Sequence, residues 1–110
     1  MKILPIFAQK GMPTIFILFG YIFKFYSNEH EPIHVHVKKG GNEIVFEIIM
    51  DNGNLSKIIR RECSGASLSE KDIAIAYKFV EKYWKNIVSK WVNFFVMKKK
   101  VRSTTITQKI

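Results

Sequence analysis

The sharpest pattern in the chain lies at residues 33–48. Ile33, Val35 and Val37 alternate with His34 and His36, the period of two that marks a β-strand with unlike faces. Gly40-Gly41 then supplies a two-residue hairpin turn, where glycine takes positive φ without steric cost. Closing the hairpin there pairs Lys38 with Glu43, Val37 with Ile44, His36 with Val45, Val35 with Phe46 and His34 with Glu47. One face then holds Ile33, Val35 and Val37 against Ile44, Phe46 and Ile48. The other collects His34, His36, Lys38, Glu43 and Glu47. A one-residue slip would mix the two sets, so the pattern specifies the register.

Upstream, Thr14 to Phe19 and Tyr21 to Tyr26 are rich in β-branched and aromatic residues and are divided by Gly20. They predict a first hairpin or one long bent strand. Lys24 and Tyr26 share a face of the second piece, placed to adjoin the histidines. Ser27 to Pro32 predicts a loop, with Pro32 forcing Glu31 toward extended geometry. Downstream, Asp51-Asn52-Gly53-Asn54 is a turn, and Leu55 to Arg61 predicts a further strand at the sheet edge.

The period changes after residue 69. Ile73, Tyr77, Val80, Trp84, Ile87, Trp91 and Phe95 recur at three- and four-residue steps, the apolar face of a long helix. Ser67 with Glu70 fits a capping box, and Ser69 with Asp72 is an alternative cap. The opposite face carries Lys71, Lys78, Lys82 and Lys85. Sheet and helix each have one apolar face to hide, which predicts an α+β fold: a small antiparallel sheet of four or five strands packed against one long C-terminal helix. The expected boundaries are an N-terminal extension at 1–11, a single domain at 12–97 and a basic, disordered tail at 98–110.

Composition narrows the partners more than the fold. The chain has 110 residues, 47% of them apolar, which suits one globular core. Lys and Arg number 18 against 9 Asp and Glu, a net charge of +9 that favours polyanionic partners such as RNA. The single cysteine, Cys63, excludes an internal disulfide and suits a reducing cytoplasm; its expected role is a small semi-buried residue. The apolar run Ile15 to Phe23 is far shorter than the ~18–20 residues of a membrane helix, so no membrane association is expected. No Gly-rich phosphate loop or Cys/His zinc pattern occurs, which excludes nucleotide-fold enzymes.

All three histidines, His30, His34 and His36, fall within seven residues. Three chemistries fit that spacing. The first is metal-independent acid–base cleavage of RNA, with His34 as base oriented by Glu47, His36 as acid, Tyr26 or His30 as supporting donors, and Lys24 or Lys38 against the phosphorane charge. Lys38, Lys39, Lys71, Lys78, Lys82 and Lys85 would then contact nucleic acid. The second is a divalent transition-metal site of His30, His34 and His36, completed by Glu29, Glu31 or Glu47. The third is a non-enzymatic binding surface made of the same imidazoles and aromatics.

Met12-Pro-Thr-Ile, the segment Phe25-Tyr-Ser-Asn-Glu-His-Glu-Pro-Ile-His-Val-His36 and a helix closing on Trp91 and Phe94-Phe95 resemble a known family. The chain is similar to the small bacterial proteins called domain of unknown function 4160, over roughly residues 12–95. Family members usually begin at that motif, so the resemblance sets residues 1–11 apart as suspect native sequence, with Met1 and Met12 both open as the start. They often have Pro-Pro-His where this chain has Pro32-Ile33-His34. Members often sit beside a second small protein in arrangements like toxin–antitoxin modules, which implies a small cognate protein partner. The resemblance carries no catalytic residue.

Overall fold

Three two-residue loops set the architecture. Phe19-Gly20, Gly40-Gly41 and Asn52-Gly53 each turn one strand back on the previous one. Phe19 and Gly20 have φ of 42° and 89°, and Asn52 and Gly53 have 53° and 79°. Positive φ at both central residues is the turn whose twist matches that of paired strands. The computed structural model describes residues 13–26, 32–63, 65–97, 101 and 103–107. The expected extension at 1–11 and His30, Glu29 and Glu31 lie outside these residues.

The strands are β1 (Thr14–Leu18), β2 (Tyr21–Lys24), β3 (His34–Lys39), β4 (Asn42–Asp51), β5 (Asn54–Glu62) and β6 (Thr104–Ile106). They form one sheet in the order β5-β4-β3-β2-β1-β6, antiparallel except for β6 beside β1. The five pairings expected of the central hairpin, from His34 with Glu47 to Lys38 with Glu43, are all present. The segment at 14–26 is a hairpin rather than one bent strand, and β5 takes the expected edge.

The strand count exceeds the expected four or five because β6 comes from the segment read as tail. Thr104-Thr105-Ile106 is a short β-branched run, and β1 would otherwise leave its outer edge unpaired. Lys90 secures the join by donating to the Ile15 carbonyl and the Thr104 hydroxyl, both at 2.9 Å, while lying 4.3 Å from the Phe16 ring centre. Burial lowers the pKa of this ammonium.

One helix, α1 (Glu70–Trp91), covers one face of the sheet and runs into a π-helical turn at Val92–Val96. Ser69 is its N-cap, its hydroxyl accepting from the Asp72 N–H at 3.1 Å, so the alternative cap prevails over Ser67. The Ser67 hydroxyl is buried and has no hydrogen-bond partner among the described residues. Ile73, Val80, Ile87 and Trp91 are buried as the helical period requires, and so are Ala76 and Phe79. Phe79 sits at the centre of the core, 4.4 Å from Phe23 and 5.3 Å from Phe16 between ring centres. The apolar stripe is therefore wider than a strict three-four count suggests. Its sheet-side partners are Tyr21, Phe23, Val35, Val37, Ile44, Phe46 and Ile48. The other face of the sheet, away from α1, is where the histidines lie.

Candidate functional site

Alternation along β2, β3 and β4 puts Lys24, His34, His36, Lys38, Glu43, Val45 and Glu47 on the face away from the helix. His36 has Lys24 as its register partner on one side and Val45 on the other. Both imidazoles are nonetheless almost fully buried, His34 at 2% and His36 at 4% exposure. Tyr26, just past β2, lies over His36, its ring stacking on the imidazole at 3.8 Å and 16°. The His34 ring meets His36 edge-on at 5.3 Å.

The focal group is a carboxylate, and it is Glu43. His36 Nδ1 lies 2.6 Å from Glu43 Oε2, and the Tyr26 hydroxyl donates to the same oxygen at 2.9 Å. The Cys63 thiol points at it from 3.7 Å. An ionised Glu43 accepts from each of these donors, which assigns the proton to Nδ1 and makes Nε2 the basic nitrogen of His36. Tyr26, His36, Glu43, Val45, Arg61, Glu62 and Cys63 line an open cavity of about 340 Å³ beside this cluster.

Glu47 behaves differently from the expectation. It stands opposite His34 in the backbone register, but its carboxylate accepts from Arg61 Nη1 at 2.5 Å. The carboxylate that holds an imidazole reaches His36 diagonally, from Glu43, two positions along β4 from the direct partner Val45. Diagonal neighbours across an antiparallel pair are about 7–8 Å apart at Cα, within reach of a glutamate. His34 Nδ1 instead contacts the Pro32 carbonyl oxygen at 2.5 Å, where the ring can only donate.

The lysines divide between surfaces. Lys24 and Lys38 are half-buried on the histidine face. Lys39, one residue on, lies on the helix side, donating to Asp72 at 3.2 Å and sitting 4.7 Å from the Tyr21 ring centre. Lys71, Lys78, Lys82 and Lys85 are exposed on α1, across the molecule from the histidines. The structure thus brings Tyr26, His34 and His36 together with Lys24 beside them, and separates the helix stripe from them. Sequence reasoning missed Glu43, Cys63 and Arg61 as site residues. Continuing the β4–β5 register one step beyond Ile44 with Glu62 would have set Cys63 across from Glu43.

Among the described residues no helix is long and apolar enough to cross a membrane. No curated protein and no solved structure matches this chain. Residues 20–92 match a family described as Domain of unknown function (DUF4160), a span that takes in the histidine hairpin and all of α1.

Proposed function

The chain belongs to the DUF4160 family, and from that premise we propose that it is a metal-independent ribonuclease-like component of a two-protein, toxin–antitoxin-like pair. The observation that carries the reading is the 2.6 Å contact between His36 Nδ1 and Glu43, at the edge of an open cavity. A carboxylate on one ring nitrogen fixes the tautomer and strengthens the other as a base. His36 Nε2 takes the proton of a ribose 2′-hydroxyl, whose oxygen attacks the adjacent phosphorus. The same imidazolium then returns a proton to the departing 5′-oxygen, leaving a cyclic phosphate.

The base role passes from His34 to His36 because the orienting carboxylate is on His36. His34 becomes a packing neighbour, held by Pro32 and absent from the cavity lining. Lys24, across from His36, and Arg61, on the cavity wall, supply positive charge for the phosphorane. The +9 net charge recruits the RNA.

Expression of wild type and His36→Ala, scored for host growth and total RNA integrity, tests this. Growth arrest with RNA cleavage by wild type alone is the expected result. Cleavage undiminished in a folded His36→Ala protein, or none with either, would overturn it. The near-complete burial of both imidazoles favours a second reading, a non-enzymatic binding module. It predicts intact RNA with both proteins and a co-purifying small partner that survives the substitution.

A further inference from the structure

His36, Glu43 and Cys63 form a second kind of site with the same atoms. One ligand atom from each lies within 4.8 Å of the others, with His36 Nδ1 at 2.6 Å and Cys63 Sγ at 3.7 Å from Glu43 Oε2. We propose that these three side chains bind a zinc-like divalent transition metal, in a three-ligand site with one open position.

The donor set argues for this class of ion. One imidazole, one carboxylate and one thiolate are nitrogen, oxygen and sulfur ligands that borderline-soft zinc accepts, whereas calcium and magnesium require oxygen. Zinc bonds of about 2.0–2.3 Å place ligand atoms roughly 3–4 Å apart. Reaching that geometry needs the 2.6 Å pair to open and the thiol to close in, movements of side-chain ends on a fixed frame. The frame is fixed because β3 is paired with β4 along its whole length, β4 is paired with β5, and Cys63 directly follows β5.

Charge and space agree. Binding releases the Cys63 thiol proton, while the imidazole proton passes from Nδ1 to Nε2. Thiolate and carboxylate then neutralise the dication, which matters beside a side chain as buried as His36. The cavity of about 340 Å³ opens on all three ligands and leaves room for a water in the fourth position. Tyr26, donating to Glu43 Oε2 at 2.9 Å, is placed to orient the ligating carboxylate. Arg61, the cation on the cavity wall, is engaged by Glu47.

This inference stands apart from the ribonuclease reading, because the ion and the Glu43–His36 hydrogen bond compete for one nitrogen. Metal loading occupies Nδ1 and leaves the ring proton on Nε2, the nitrogen that acts as base in cleavage, so the two states of the site exclude each other.

The test is titration of the reduced, chelator-treated full chain with cobalt(II), read by absorption and reversed with zinc. A near-ultraviolet thiolate-to-cobalt band is expected in wild type. Cys63→Ser should abolish it and weaken zinc binding more than about tenfold, the least that altering a metal site's surroundings costs. Glu43→Gln should weaken binding while keeping a polar partner for His36. Circular dichroism on each variant separates lost binding from lost fold. A folded, reduced wild type without the band, or Cys63→Ser binding zinc as tightly as wild type, would overturn the proposal. Cobalt bound through Cys63 by a protein whose metal-free form leaves RNA intact would uphold it and remove the ribonuclease reading alone.

Discussion

Two carboxylates on opposite faces of the sheet repeat one arrangement. Glu43 accepts from Tyr26 and His36 on the open face, and Asp72 accepts from Tyr21 at 2.6 Å and Lys39 at 3.2 Å on the helix face. Each is a tyrosine and a basic side chain sharing one acidic oxygen. The difference lies in the other partner. Lys39 is a fixed charge at an exposed rim, so the Asp72 cluster is a clasp tying the start of α1 to β2 and β3. His36 is a buried imidazole, able to donate through one ring nitrogen and accept through the other, and stands with a thiol beside a cavity. Similar hydrogen-bond geometry therefore serves anchoring in one place and chemistry in the other.

The comparison breaks hardest at Glu43. Glu43→Ala removes one acceptor from three donors, one of them on a buried ring, and is expected to cost about 2–3 kcal/mol in urea unfolding. It should also abolish any RNA cleavage. Tyr21→Phe tests the other cluster and should cost on the order of 1 kcal/mol, with cleavage and metal binding untouched. Equal losses of function from both variants would erase the distinction.

A smaller effect separates the clusters by pH. The Asp72 carboxyl is held below the usual carboxylate range, chiefly by the Tyr21 hydroxyl, with Lys39 and Ser69 assisting against desolvation. A depressed carboxylate stabilises the fold above its ordinary pKa of about 4 and loses that contribution as pH falls through the lower folded value. The Tyr21 hydroxyl is raised, first by burial and then by Asp72. Its contribution is present below about pH 10 and lost as pH rises through the higher folded value. The urea midpoint difference between wild type and Asp72→Asn should thus be greatest at neutral pH and shrink toward both extremes. A difference that stays constant from pH 7 down to pH 2 would remove Asp72 ionisation as its source.

Much of this was legible in the sequence. Alternation and paired turn residues are local signals, and they carried the β3–β4 register and the face shared by Lys24, Tyr26 and the histidines, while at 14–26 they left a hairpin and one bent strand both open. The Glu43–His36 link was harder because direct pairing pointed to Glu47, and the choice between a direct and a diagonal partner depends on Arg61 two strands away. Burial of the histidines escaped for a related reason. A period of two says which residues share a face, but not that a tyrosine folds back over it. The tail strand was hidden because three residues are too few to show a period.

The paired loops also bear on the order in which the chain folds. Strands β1 to β5 are each joined to the next and paired with it, so the meander can zip up from contacts between near neighbours. Only β6 must return from beyond the helix to find β1, closing the longest loop in the sheet. Lys90, which touches β1 and β6 from the end of α1, then acts as a late latch. In stopped-flow experiments Lys90→Met should speed unfolding and leave the refolding rate nearly unchanged, the signature of contacts made after the rate-limiting barrier.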